Sequence, residues 1–172
     1  MRVNGERILL MSIKPKYGFE ILRGVKKVEL RGFVCDIASG DIAVLYLSSP
    51  IKAIYGEFKV GRIAFGLNEI KRFISDYTDP GVSDEDWRYV IDRRGPMAIE
   101  VLAPLEYPIK ITLDELRRCI PSFRPPLSYR RIKPWEKLYD IIIRLRSSIT
   151  LRGTPLSLTP SASSLHELVD NV

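Results

Sequence analysis

The chain has 172 residues, 45% hydrophobic and 28% charged, with 27 Lys and Arg against 21 Asp and Glu for a net charge of +6. That length and balance fit a globular chain with room for a genuine core, one domain by default. The longest apolar runs fall far short of a bilayer span, and the run at 8–13 is too short for a secretory h-region, so a cytoplasmic location without membrane contact is expected.

The run at 8–13 reads as a strand that leads into a helix at 15–23. Pro15 suits the first helical position, Tyr17, Ile21 and Leu22 recur at helical spacing, and Gly24 suits a left-handed stop. The period then changes. Val28 and Leu30 point one way along the next strand, 28–33, while Lys27, Glu29 and Arg31 point the other. Lys26 sits at the turn into that strand. Gly40-Asp41 marks a turn before a nearly continuous apolar strand at 42–47, and 51–63 reads as a long strand bent at Gly56.

Two helices are expected next. Asn68 can cap the first, and Ser83 with Asp86 reads as a capping box for the second, so the acidic block at 76–92 has a structural explanation in the helix dipole. Strands follow at 97–102 and 107–111. Thr112 and Glu115 cap a short helix that Pro121 closes. Pro134 opens a last helix, with Trp135, Leu138, Ile142 and Leu145 on one side. Nine of the 18 residues at 147–164 are Ser or Thr, the composition of a tail. Several short strands with a bulge suit a closed or nearly closed barrel.

Charge is unevenly spread. Residues 117–152 hold ten Arg and Lys against Glu136 and Asp140, and residues 14–31 hold six basic groups against Glu20 and Glu29. Two basic blocks that meet in space would attract a polyanion; solvated arginines are the bland alternative. The chain has no Gln, and Asn stands only at 4, 68 and 171, a depletion seen in hyperthermophiles. Cys35 and Cys119 are too few for a zinc motif and read as free thiols, although a disulfide is open to a hyperthermophile. The one histidine, His166, lies in the tail, so Ser-His-Asp and Cys-His chemistry would need that tail to fold back. No metal site, phosphate loop or dinucleotide fingerprint is present, and no cofactor is expected.

The spacing Gly24-x-Lys26-x-x-Glu29-x-Arg31, after Ser-Ile-Lys-Pro-Lys-Tyr, resembles the signature of the ASCH family of the PUA-like superfamily. The likeness continues through Gly40-Asp41, Tyr46-Leu-Ser-Ser-Pro50 and Ala53-Ile-Tyr-Gly-Glu57, in a longer, archaeal-type chain. It implies an α+β fold: a mostly antiparallel PUA-like β-barrel with peripheral helices and a C-terminal helix. The expected organisation is a domain at 1–133, a helix packed on it at 134–148, and a tail at 149–172. It also implies an RNA-related pocket, and hydrolase activity in a minority of relatives.

On this reading Lys14, Lys16, Lys26 and Arg31 line one wall of a basic pocket, and Ser122, Arg124, Ser128, Tyr129 and Arg130 the other. Tyr17 or Tyr129 would stack a base of unpaired or modified RNA, and Glu29 would accept from an exocyclic amine. A second reading is an amidohydrolase acting on an N4-acetylcytidine-like nucleoside, or a ribonuclease. Lys26, desolvated near Arg31, would then be the base, with Glu29 and Arg31 orienting. In relatives that deacetylate N4-acetylcytidine a threonine stands where this chain has Glu29, so only the lysine carries over. On the residues alone, Lys26 and Lys27 also suit a helix C-terminus, and Glu29 with Arg31 a structural pair. A third reading is a regulatory or protein-interaction module that docks a partner through the last helix or tail.

Overall fold

The computed structural model describes residues 7–33 and 36–150. In chain order these form β1 (Ile8–Ile13), α1 (Pro15–Leu22), β2 (Val28–Arg31), β3 (Ile42–Leu47), β4 (Ala53–Phe65), α2 (Leu67–Ser75), α3 (Asp84–Ile91), β5 (Met97–Thr112), α4 (Leu113–Cys119), β6 (Tyr129–Ile132) and α5 (Lys137–Thr150). The strands make one sheet in the order β2-β5-β4-β3-β1-β6. Only the β1–β3 pair is parallel; the others are antiparallel. The sheet curls into a half-barrel, the α+β architecture expected of a PUA-like barrel.

Strand alternation splits the core in two. Leu9, Met11, Ala43, Leu45, Leu47, Phe58 and Ile99 pack inside the curl, where Ile21 of α1 joins them. Ile8, Leu10, Ile42, Val44 and Ile54 turn to the other face, where Leu116 of α4 and Leu138, Ile142 and Leu145 of α5 cover them. All six residues of β3 are buried, which is why its sequence is apolar throughout. A third cluster joins Val28, Leu30 and Ala98 to Ile70, Phe73 and Val90 of α2 and α3.

The curl comes from the two long strands. The β4–β5 register shifts between Ile54 and Gly56, again between Glu57 and Lys59, and again between Val60 and Ile63. A Cβ at Gly56 would lie 2.3 Å from the Leu105 carbonyl oxygen and 2.6 Å from Leu22 Cδ2, so this position admits only glycine without a shift. Ala103 holds a φ of +45° on the facing strand. These bends let β5 run unbroken through Met97–Thr112, where the sequence suggests two strands at 97–102 and 107–111.

Capping follows the sequence at two helices. Ser83–Asp86 and Thr112–Glu115 both form reciprocal capping boxes. At α2 the N-cap is Gly66, with φ of +79°, and Asn68 lies inside the first turn. The last helix starts at Lys137, after a turn at 134–136 that leaves Trp135 81% exposed rather than on the buried stripe. That stripe is Leu138, Ile141, Ile142 and Leu145, all buried against the sheet, so it offers no docking face to a partner. No helix among the described residues is long and apolar enough to cross a membrane. Cys119 is half-buried on α4; Cys35, His166 and the tail at 151–172 lie outside the described residues.

Ile142 is fully buried in the α4–α5 core. Ile142→Ala is expected to lower unfolding free energy by about 2–5 kcal/mol in urea denaturation. A loss below about 1 kcal/mol would contradict the packing of α5 on the sheet.

Candidate functional site

The half-barrel has two free ends, β2 and β6, and the site lies in the seam between them. Glu29 and Arg31 pair with Ile99 and Met97, whose side chains face the inside of the curl. Alternation therefore sends Val28 and Leu30 to the helical side and both charges inward. Arg31 spans the seam. Its Nη1 and Nη2 donate to the Ser12 carbonyl at 3.2 and 3.3 Å, and Nη1 lies 3.5 Å from Ser128 Oγ. Its Nε lies 3.1 Å from Glu29 Oε1, an ion-pair contact without the alignment of a hydrogen bond.

Lys26 is fully buried beneath this pair. Its Nζ donates to Asp86 Oδ1 at 2.8 Å, lies 4.0 Å from Glu29 Oε2 and 3.5 Å from the Gly81 carbonyl, and sits 5.0 Å from the centre of the Tyr17 ring. The local chain explains the placement. Gly24 ends α1 at φ of +74°, and the N–H groups of Lys27 and Val28 donate to the Pro80 carbonyl, which docks the 79–83 loop on the strand entry. Gly81, at φ of +67°, lies so close that a Cβ would stand 2.3 Å from the Val25 carbonyl oxygen. That loop delivers Asp86, whose Oδ2 accepts from Ser83 N and Oγ, both at 2.8 Å.

The sequence placed Lys26 beside Arg31. In the structure the two cations hold opposite oxygens of Glu29, and the direct partner of Lys26 is Asp86. Burial works against the Asp86 charge, but the bonds from Lys26 and Ser83 outweigh it and lower its pKa. Burial dominates at Glu29: its pKa is raised despite Arg31 and Lys26, with Asp86 and Glu20 adding to the rise. The Tyr17 hydroxyl is pushed well above its ordinary value by burial and by its bond to Glu85.

A cleft of about 500 Å³ opens over these groups. Its wall carries Lys14, Arg31 and Arg88 against Glu29, Glu85 and Asp86, with Tyr17, Tyr89 and Leu127 as its larger apolar surfaces. It is a mixed-charge cleft, where the sequence suggests a basic one. Of the residues expected on the two walls, Lys14, Tyr17 and Arg31 line it, Lys26 lies beneath, and Ser128 touches Arg31. Lys16 stays exposed on the rim, paired with Glu85 at 3.3 Å. Ser122, Arg124 and Arg130 line a separate hollow beside α5. Tyr129 packs against the inner core, its hydroxyl accepts from Asp36 N, and it is not among the residues that line the cleft.

Asp86, Arg88 and Tyr89 were missed as site residues because their segment reads as a capped surface helix. Asp86 is both the capping residue and the Lys26 partner, and a capping signal hides the second role. Among the described residues no three His, Cys, Asp or Glu side chains group as metal ligands.

The raised pKa means that folding binds a proton to Glu29 more tightly than the unfolded chain does. Its contribution is fully present below the ordinary value of 4.5 and is lost as pH rises through the folded value. Asp86 acts in the opposite sense, its contribution being present above 3.8 and lost as pH falls below it. Glu29→Gln, which mimics the protonated acid, is expected to flatten the decline of stability above about pH 5. Chemical denaturation across pH 5–8 tests this; parallel wild-type and variant curves would contradict it.

No family model and no curated protein sequence matches the chain. Solved structures do. The ASCH protein of Zymomonas mobilis is 22% identical, with 83% of this chain and 94% of that chain covered at a TM-score of 0.66. A variant of the same protein gives 19% identity, 84% and 95% coverage and a TM-score of 0.65. A Pseudomonas putida protein gives 17% identity, 81% and 99% coverage and a TM-score of 0.51. At these identities the likeness establishes the fold: this chain has the half-barrel of the ASCH structures over most of its length.

Proposed function

We propose that the seam cleft binds one unpaired base of an RNA strand, as an ASCH-type, PUA-like RNA-binding domain. The observation that carries this reading is the Glu29 carboxylate, fixed by Arg31 in a nucleotide-sized cleft whose wall includes Tyr17. Ligand pockets of about 300–1,000 Å³ with a few fixed polar groups hold small organic ligands, and a nucleotide falls within that range. A wall of equal positive and negative side chains is a poor seat for a polyphosphate and a good one for a neutral base with donors and acceptors on its edge. Tyr17 offers a stacking face, Glu29 accepts from an exocyclic amine, and Arg31 donates to a carbonyl. Lys14 and Arg88, both exposed, supply phosphate contacts at the rim.

The test is anisotropy of a labelled single-stranded RNA of about ten nucleotides, set against a duplex of the same length. Binding should favour the single strand and weaken as salt rises, with a log–log slope of about −0.7 per neutralised phosphate. Tyr17→Ala should cost about 5–150-fold in affinity, corresponding to about 1–3 kcal/mol of stacking, and Tyr17→Phe should cost little. Binding that ignores salt, or no binding, would reject the reading.

A second reading is a hydrolase acting on RNA or on a modified nucleoside. The buried Glu29 favours it, because burial raises its pKa and lets the carboxyl keep a proton to higher pH than an ordinary carboxylate, as a general acid or base requires. Lys26 then fits an electrostatic role, because its ammonium is bonded to Asp86. Incubation with unstructured RNA and with N4-acetylcytidine is the check. Turnover that disappears in Glu29→Gln supports the reading, and intact substrates after incubation with wild-type protein remove it.

A further inference from the structure

Some 390 Å³ of concave surface lies between the α4–β6 loop and the start of α5, lined by Ser122, Arg124, Arg130, Glu136 and Lys137. Its charges are not balanced as those of the cleft are. Glu136 is already engaged: Oε2 accepts from Arg130 Nη1 at 2.6 Å, and Oε1 accepts from Lys133 N at 2.8 Å. Arg124 and Lys137 are exposed and form no ion pair among the described residues. The hollow therefore presents two uncommitted cations.

Trp135 stands next to it in sequence. Its turn is held by Pro134 and by the return bonds of Glu136, whose N–H donates to the Lys133 carbonyl at 3.0 Å. Trp135 is 81% exposed among the described residues. An aromatic held outward on a fixed turn beside free cations is the combination that single-stranded nucleic acid uses, a base on the ring and phosphates on the cations.

The two concave sites share one segment. Leu127 lines the cleft and Ser128 touches Arg31, while Arg130, two residues on, lines the hollow. From Leu127 on the cleft wall to Arg130 in the hollow is three residues at the free β6 edge, at most about 10 Å of chain. We infer that the hollow of Arg124, Arg130 and Lys137, with Trp135 at its edge, is a second subsite that takes the phosphates and a neighbouring base of the strand whose first base enters the cleft. This rests on the RNA reading of the cleft and adds the direction in which the strand leaves it.

The experiment uses the full chain, cytidine 5′-monophosphate, and a single-stranded RNA of about ten nucleotides. In a Trp87→Phe background, which leaves Trp135 as the single tryptophan, the oligonucleotide should quench the emission and the mononucleotide should not. Arg124→Ala with Lys137→Ala should weaken oligonucleotide binding at least about tenfold and reduce the salt slope by about 1.4, two phosphates' worth. Trp135→Ala should weaken it about 5–30-fold, within the range of one stacked base. Mononucleotide affinity should not change in any of these variants. If the oligonucleotide binds with full Tyr17 dependence but is indifferent to Arg124, Lys137 and Trp135, the second subsite is overturned and the cleft reading stands. If binding depends on Arg124, Lys137 and Trp135 but not on Tyr17, the cleft reading falls and the hollow remains a binding site. A wild-type chain that binds no oligonucleotide overturns both.

Discussion

The constraint on which the rest depends is the burial of Glu29 at the seam of the half-barrel. A carboxylate taken out of water needs partners, and the chain brings one cation to each oxygen: Arg31 from the same strand and Lys26 from its entry. Arg31 then crosses to the Ser12 carbonyl, so the group that neutralises Glu29 also ties β2 to β1 where no strand pairing joins them. Removing one partner of such a buried set leaves the other charge exposed to a low-dielectric surround, at a cost of about 3–5 kcal/mol. The same arrangement keeps the seam polar and stops an apolar core from closing it.

The helix α3 gains a meaning from this. Lys26 needs a second carboxylate, and α3 provides Asp86 through a loop clamped on the entry to β2. α3 also brings Glu85, Arg88 and Tyr89 to the cleft wall. The cleft is thus built from β2, the end of β1 with Tyr17 of α1, the loop before β6, and α3. Its wall balances charge, while the hollow beside α5 carries Arg124 and Lys137, which form no ion pair among the described residues.

Much of the fold could be read from the residues. Period-2 alternation in Lys27–Arg31 gave the inward charges, Gly24 the end of α1, and the apolar 42–47 run a strand buried on both faces. The parallel β1–β3 pair, the continuity of β5 and the open seam were not legible, because strand order and register depend on partners remote in sequence. In the site, Lys14, Tyr17, Lys26, Glu29 and Arg31 lie at or under the cleft because they come from one local segment. The arginines at 124 and 130 belong to another hollow, since charge clustering in sequence says nothing about which side of a sheet edge a side chain takes. Asp86 escaped notice because its capping role satisfied the pattern by itself.

The most direct measurement is ultraviolet crosslinking of the full chain to a uniformly labelled single-stranded RNA, with mass spectrometry of the crosslinked peptides. The account predicts a crosslink at Tyr17, with further attachment within 127–137. Crosslinks confined to the outer faces of α2 or to the 105–112 end of β5, with none at Tyr17, would contradict it.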